Sequence, residues 1–185
     1  GAIAAQTGEA LENAAVAMIM VHGRGDSAHG ILQLADLFGT RRVAFLAPQA
    51  TGGTWYPHSF MAPREQNEPW LSSALAALET VLQQVENAGM PRAKTVLLGF
   101  SQGACLASEF VARTGGTFGG LVALSGGLIG PPGTSFDFDT DLSGTRAFLC
   151  CSDVDAHIPV ERVHDSAREL ERLGATVEKR IYPGM

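Results

Sequence analysis

Apolar positions fall into two alternating patterns along this chain. Ala15–Val21, Val43–Ala47, Thr95–Gly99, Gly120–Ser125 and Ala147–Cys151 are short, almost unbroken apolar runs. Runs of that kind predict parallel strands covered on both faces. Ala175–Tyr182 alternates more and is expected nearer a sheet edge. The segments between them have helical spacing. Ser27–Phe38 puts Ile31, Leu34, Ala35 and Phe38 on one face, with Asp26 as a cap. Glu68–Ala88 is preceded by Asn67, has Pro69 near its start, carries Leu71, Leu75, Leu78 and Leu82 on one stripe and closes on Gly89. Gln102–Thr114 ends at Gly115-Gly116, and Pro159–Leu173 ends at Gly174. This succession, undivided by a linker or repeat, predicts one α/β domain over residues 1–185 with a mostly parallel central sheet flanked by helices.

Two connections break the rhythm. Pro48–Asn67 and Gly126–Thr145 are each 20 residues long, against about 2–6 in ordinary units of this kind, and long loops are often functional. Both follow strand carboxyl ends, where open α/β sheets bind ligands. The first contains Trp55, Tyr56, His58, Phe60 and Met61, and the second contains Gly126-Gly127-Leu128-Ile129. Trp55, Tyr56 and Leu128 are candidate substrate-binding residues walling an apolar pocket, with burial of the loop aromatics in the core the equal alternative.

Composition narrows the function classes. A chain of 185 residues with 45% hydrophobic and 17% charged residues can build a sizeable core and is not expected to be disordered. The net charge is −6. Arg41-Arg42 and Lys179-Arg180 are its closest basic pairs, too sparse to neutralise a row of phosphates, so no nucleic acid partner is expected. The longest apolar run, Ala14–Val21, has eight residues, where a bilayer needs about 20, so no membrane insertion is expected. Glu9 and Glu12 precede the first basic residue, Arg24, a pattern unlike a secretory signal. The three cysteines, Cys105, Cys150 and Cys151, lack metal-ligand spacing; they read as buried thiols in a reducing, cytoplasmic setting.

The chemistry centres on Gly99-Phe100-Ser101-Gln102-Gly103. A G-x-S-x-G turn between a strand and a helix holds its serine in a strained backbone, and the glycines let strand and helix approach closely. Ser101 is the candidate nucleophile. An oxyanion hole needs two N–H donors. Gln102 supplies one at the helix start, and Arg24, in the glycine-rich His22-Gly23-Arg24-Gly25-Asp26 turn, the other. The triad acid should follow a later strand, where Cys151–Pro159 offers both Asp153 and Asp155 without separating them. Asp137, Asp139 and Asp141 alternate, but Leu142 replaces the glycine of a calcium loop, so a solvated acidic loop is expected and no metal. Gly23 and Gly25 lack the third glycine of a dinucleotide fingerprint, and no cofactor is implied.

These motifs, with Ala123–Gly127, Asp153–Pro159 and Tyr182-Pro183-Gly184-Met185, resemble those of the phospholipase/carboxylesterase family of α/β hydrolases, which includes the acyl-protein thioesterases. They occur in that family's order from Val16 onwards. The resemblance makes Asp155, four residues before Pro159, the triad acid and leaves Asp153 in support. It also implies a catalytic histidine just after the last strand. All five histidines (His22, His29, His58, His157, His164) precede that strand. His157 and His164 read as loop and helix residues, so the histidine is expected one or two residues past Met185. The reading is a serine carboxylesterase acting on small to medium acyl chains of a small-molecule ester. Thioesterase or lysophospholipase activity is the near alternative, and a non-hydrolysing ligand-binding domain the distant one. Oligomeric state stays open, since the loop aromatics could equally face the partner in a homodimer.

Overall fold

The protein, a computed structural model describing residues 2–184, is built on a seven-stranded sheet. Its strands are β1 (Ile3–Gly8), β2 (Val16–Val21), β3 (Val43–Pro48), β4 (Thr95–Phe100), β5 (Gly120–Leu124), β6 (Arg146–Ser152) and β7 (Thr176–Tyr182). Their spatial order is β1-β3-β2-β4-β5-β6-β7. Every pairing is parallel except β1 with β3. The helices are α1 (Ala28–Leu32), α2 (Ala35–Phe38), α3 (Trp70–Asn87), α4 (Gln102–Thr114) and α5 (Val160–Arg172).

The six expected strands are present, and β1 is additional. Its sequence, Ile-Ala-Ala-Gln-Thr-Gly, buries only Ala5; an edge strand with one buried side chain leaves little apolar signal. The expected helix over Ser27–Phe38 divides into α1 and α2. Its cap is Ser27, whose hydroxyl accepts from the Gly30 N–H at 3.0 Å, rather than Asp26. Pro69 stands at the head of α3 with no side-chain cap of its own, and Asn67 serves the loop before the helix. Fully buried, it accepts from the His58 N–H (2.8 Å) and donates to the Ser59 carbonyl (2.9 Å), bracing the preceding loop.

The main core lies between the sheet and α3, α4 and α5. Ile19, Leu97, Leu121 and Leu149 meet Leu78 and Leu82 of α3, Leu106 and Val111 of α4, and Val163 and Leu170 of α5 there. A smaller cluster packs Ile31 and Leu32 of α1 against Met20, Phe45 and Leu98 on the opposite face. Strand side chains alternate between the two faces, so successive residues such as Leu97 and Leu98 serve different cores. The parallel arrangement leaves the loops after β2 through β7 at one edge of the sheet, where the candidate residues gather.

Candidate active site

The turn from β4 into α4 holds Ser101 at φ 52°, ψ −117°, a conformation a side chain adopts only under constraint. Its N–H donates to the Leu124 carbonyl of β5 (2.9 Å), and its carbonyl accepts from the Cys105 N–H (3.1 Å). The flanking glycines are required by contact. A Cβ on Gly103 would collide with the Val21 carbonyl, and one on Gly99 with the Gly103 carbonyl. Helix start, β2 and β4 are thus in backbone contact, and the serine is pushed outward.

Ser101 opens onto a cleft of about 470 Å³. Gln102, Tyr56, Phe60 and Ile158 form its walls, Arg24, His58 and His157 lie on its rim, and Cys105 lies beneath. The backbone N–H groups of Arg24 and Gln102 have no protein acceptor among the described residues. That of Gln102 also stands at the first turn of α4, where unpaired N–H groups and the helix dipole favour negative charge.

Side chains from α4 and from the turn after β2 hold this geometry. Gln102 Nε2 donates to the Tyr56 carbonyl (2.8 Å) while its Oε1 accepts from the Trp55 N–H (3.0 Å). The Arg24 guanidinium donates to the carbonyls of Tyr56 (3.0 Å), Pro57 (3.0 Å) and His58 (2.9 Å). The first long loop is therefore tied both to α4 and to the turn after β2. His22 is fully buried; Nδ1 donates to the Gly23 carbonyl (2.7 Å) and Nε2 accepts from the Ala50 N–H (3.1 Å). Both ring nitrogens are committed, so His22 is structural.

Two expected substrate-binding residues lie elsewhere. Trp55 is 5% exposed, and its indole N–H donates to the His22 carbonyl (2.9 Å) behind the cleft wall. Leu128 is fully buried, with its N–H donating to Ser166 Oγ (2.8 Å). Alone of the three, Tyr56 reaches the cleft. Its hydroxyl has no partner among the described residues, and burial pushes its pKa well above the usual value. Burial likewise pushes the Cys105 thiol up to about 12.

The two candidate acids serve different contacts. Asp155 Oδ1 accepts from the N–H groups of His157 (2.8 Å) and Ile158 (2.9 Å), and Oδ2 faces the Cys151 thiol at 3.8 Å. Burial, with the Asp155 charge in support, raises that thiol to about 11. Asp153 instead accepts from the Gly184 N–H (2.8 Å) and donates its own N–H to the Tyr182 carbonyl (3.2 Å), fastening the turn after β7. The position expected for the catalytic histidine lies outside the described residues. Among those described, His58 and His157 are exposed imidazoles that line the cleft with Ser101, while His164 sits half-buried on α5 and His29 is exposed on α1. In the acidic loop, Asp141 Oδ1 accepts from the Ser143 N–H (2.8 Å) and hydroxyl (2.5 Å), which lowers its pKa, and Asp137 accepts from the Ser135 hydroxyl at 3.1 Å. No helix among the described residues is long and apolar enough to cross a membrane.

Sequence reading missed the buried charges below the cleft, Glu109 on α4 and Arg162 on α5. Their spacing carried a signal, since Glu109 falls two four-residue steps after Ser101 on a helix whose face toward the sheet must be buried.

Comparison with known proteins agrees with this geometry. A family model described as Phospholipase/Carboxylesterase matches residues 4–185. The chain is 29% identical over 136 residues to acyl-protein thioesterase 1 homolog 1 of Dictyostelium discoideum, covering 64% of this chain and 59% of that protein. It is 28% identical over 126 residues to acyl-protein thioesterase 1 of Yarrowia lipolytica, covering 59% of this chain and 56% of that protein. It thus spans less than two thirds of the length of the curated relatives it matches. A solved phospholipase/carboxylesterase from Dyadobacter fermentans superposes with a TM-score of 0.94 at 40% identity, covering 98% of this chain and 87% of that one. Esterase PE8 shares the fold at 21% identity, with a TM-score of 0.79 and coverage of 98% and 88%. A serine on a strand-to-helix turn and a family match that runs through the whole set of motifs lead to one assignment: the chain belongs to the phospholipase/carboxylesterase family of α/β hydrolases.

Proposed function

We propose that this protein is a serine hydrolase that cleaves carboxylic esters of small to medium acyl chains through an acyl-enzyme. The observation that carries the reading is Ser101, held at φ 52° at the head of α4 beside two N–H groups that have no acceptor among the described residues. Ser101 Oγ attacks the ester carbonyl carbon and gives its proton to an imidazole. The Arg24 and Gln102 N–H groups receive the oxyanion, the largest developing charge in acyl transfer. Collapse of the tetrahedral species breaks the bond to the alcohol oxygen, which takes the proton back from the imidazole. Water then attacks the acyl-serine by the same route and releases the acid. In this reading the imidazole belongs to a histidine delivered past the Tyr182-Pro183-Gly184 turn, and Asp155 orients it. Asp153 supports that role by holding Gly184 beside the acid loop. The cleft of about 470 Å³ with Tyr56, Phe60 and Ile158 on its walls suits a modest acyl group.

Acyl-thioester hydrolysis is the second reading, favoured by the two relatives that are acyl-protein thioesterases. In the full-length protein, Ser101→Ala should abolish both hydrolysis of p-nitrophenyl butyrate and labelling by a fluorophosphonate, with an unchanged unfolding midpoint. Retained turnover removes Ser101 from the scheme. A kcat/KM for butyryl thioesters more than about tenfold above that for matched oxygen esters moves the assignment to thioesterase. Absence of both labelling and turnover in the parent protein leaves a ligand-binding domain.

A further inference from the structure

Beneath the cleft, α4 presents Ser101, Cys105, Glu109 and Arg113 at successive four-residue steps, which places them along one side of the helix. The Glu109 side chain is completely buried. Its Oε1 accepts from Arg64 (2.6 Å) and Arg113 (2.8 Å), and its Oε2 accepts from the Ile129 N–H (3.0 Å). Arg64 lies in the loop after β3 and Ile129 in the loop after β5, so one carboxylate binds both long loops. Next to it, the Gly130 N–H donates to the Phe60 carbonyl (2.9 Å), joining the same two loops directly. Phe60 is a wall of the cleft.

Stability alone does not account for an acidic side chain here. Replacing a buried ion pair by apolar groups of similar volume is often neutral or stabilising, because two charges must otherwise be stripped of water. A carboxylate offers what an apolar group cannot, two oxygens that fix separate backbone segments in one orientation. We infer that Glu109 is a positioning residue for substrate binding, clasping the two long loops so that the Tyr56–Phe60 wall stays docked over α4 at the width the acyl group requires. It touches no reacting atom and acts through Arg64 and Ile129. Its effect on ester binding rests on the serine hydrolase reading, whereas the clasp itself does not.

The test uses the full-length protein with Glu109→Gln, Arg64→Ala and the double variant. Arg64 is partly exposed, so its removal leaves the apolar core intact even where Glu109→Gln folds poorly. Each single variant should raise KM for p-nitrophenyl butyrate about tenfold and leave kcat within about threefold, the signature of lost binding rather than lost chemistry. The double variant should be no worse than Glu109→Gln, since both changes break one contact. Hydrogen exchange should quicken together at residues 58–60 and 129–130 in Arg64→Ala. Unchanged KM in both single variants, or a fall in kcat alone, overturns the role in binding. Unchanged exchange overturns the clasp, even in a protein that hydrolyses nothing.

Discussion

Ser101 sits in a backbone region that costs about 1–3 kcal/mol and persists only where its surroundings impose it. The imposing contacts come from Gly99 and Gly103, which let β4, α4 and β2 meet without side chains between them. Gly103→Ala would drive a methyl group into the Val21 carbonyl. It should destabilise the protein by about 1–3 kcal/mol or more and sharply slow fluorophosphonate labelling, readable by urea unfolding and gel fluorescence. The spacing of the two glycines made this serine legible from sequence, because the constraint is local. That Trp55 and Leu128 lie behind the cleft and not on its wall is illegible for the opposite reason. Which side of a long loop turns inward depends on Gln102, His22 and Ser166, partners 47, 33 and 38 residues away that no local pattern announces. Asp153 and Asp155 were likewise inseparable by chemistry, and it is the contacts to Gly184 and to the His157 and Ile158 N–H groups that distinguish them.

Among the elements, the buried parallel strands and α4 follow their apolar runs closely, since both faces of those strands meet helices. β1 escaped because five of its six residues are not fully buried, and α1 and α2 read as one helix because their apolar spacing carries across the break. The long loops have no periodicity to read, yet they are ordered by charge. Arg162 of α5, 4% exposed, donates to the carbonyls of Leu128 (2.8 Å), Gly130 (2.7 Å) and Pro131 (3.0 Å) and lies over the rings of Phe60 (5.7 Å) and Phe136 (5.5 Å). Arg162→Ala strands those carbonyls and leaves a void. It should cost about 3 kcal/mol or more, measured as a lower urea midpoint, with the loop after β5 the first segment to lose protection from exchange.

For the molecule as a whole, pH should act through the buried carboxylate on α4. Burial raises the Glu109 pKa above its ordinary value of 4.5, against the opposing pull of Arg64 and the Ile129 N–H. The folded state then binds this proton more tightly than the unfolded chain does. The stability that the protonated form contributes is fully present below pH 4.5 and is lost as pH rises through the folded-state value. Urea unfolding across that window should show this decline superimposed on the other titrations, and Glu109→Gln should remove it. An unaltered profile in the variant assigns the window to other groups.

The sheet's two flanks also bear on how the molecule behaves in a crowded solution. Edge strands are templates on which another chain can add, and charge along them is a natural deterrent. On β7, Glu178, Lys179 and Arg180 are all exposed; Arg180 pairs with Glu178 at 2.7 Å and covers the Phe148 ring at 5.7 Å. A neighbouring molecule approaching that flank meets three consecutive exposed charges where it would need bare backbone, so the edge that borders the acid loop resists fibril-like stacking.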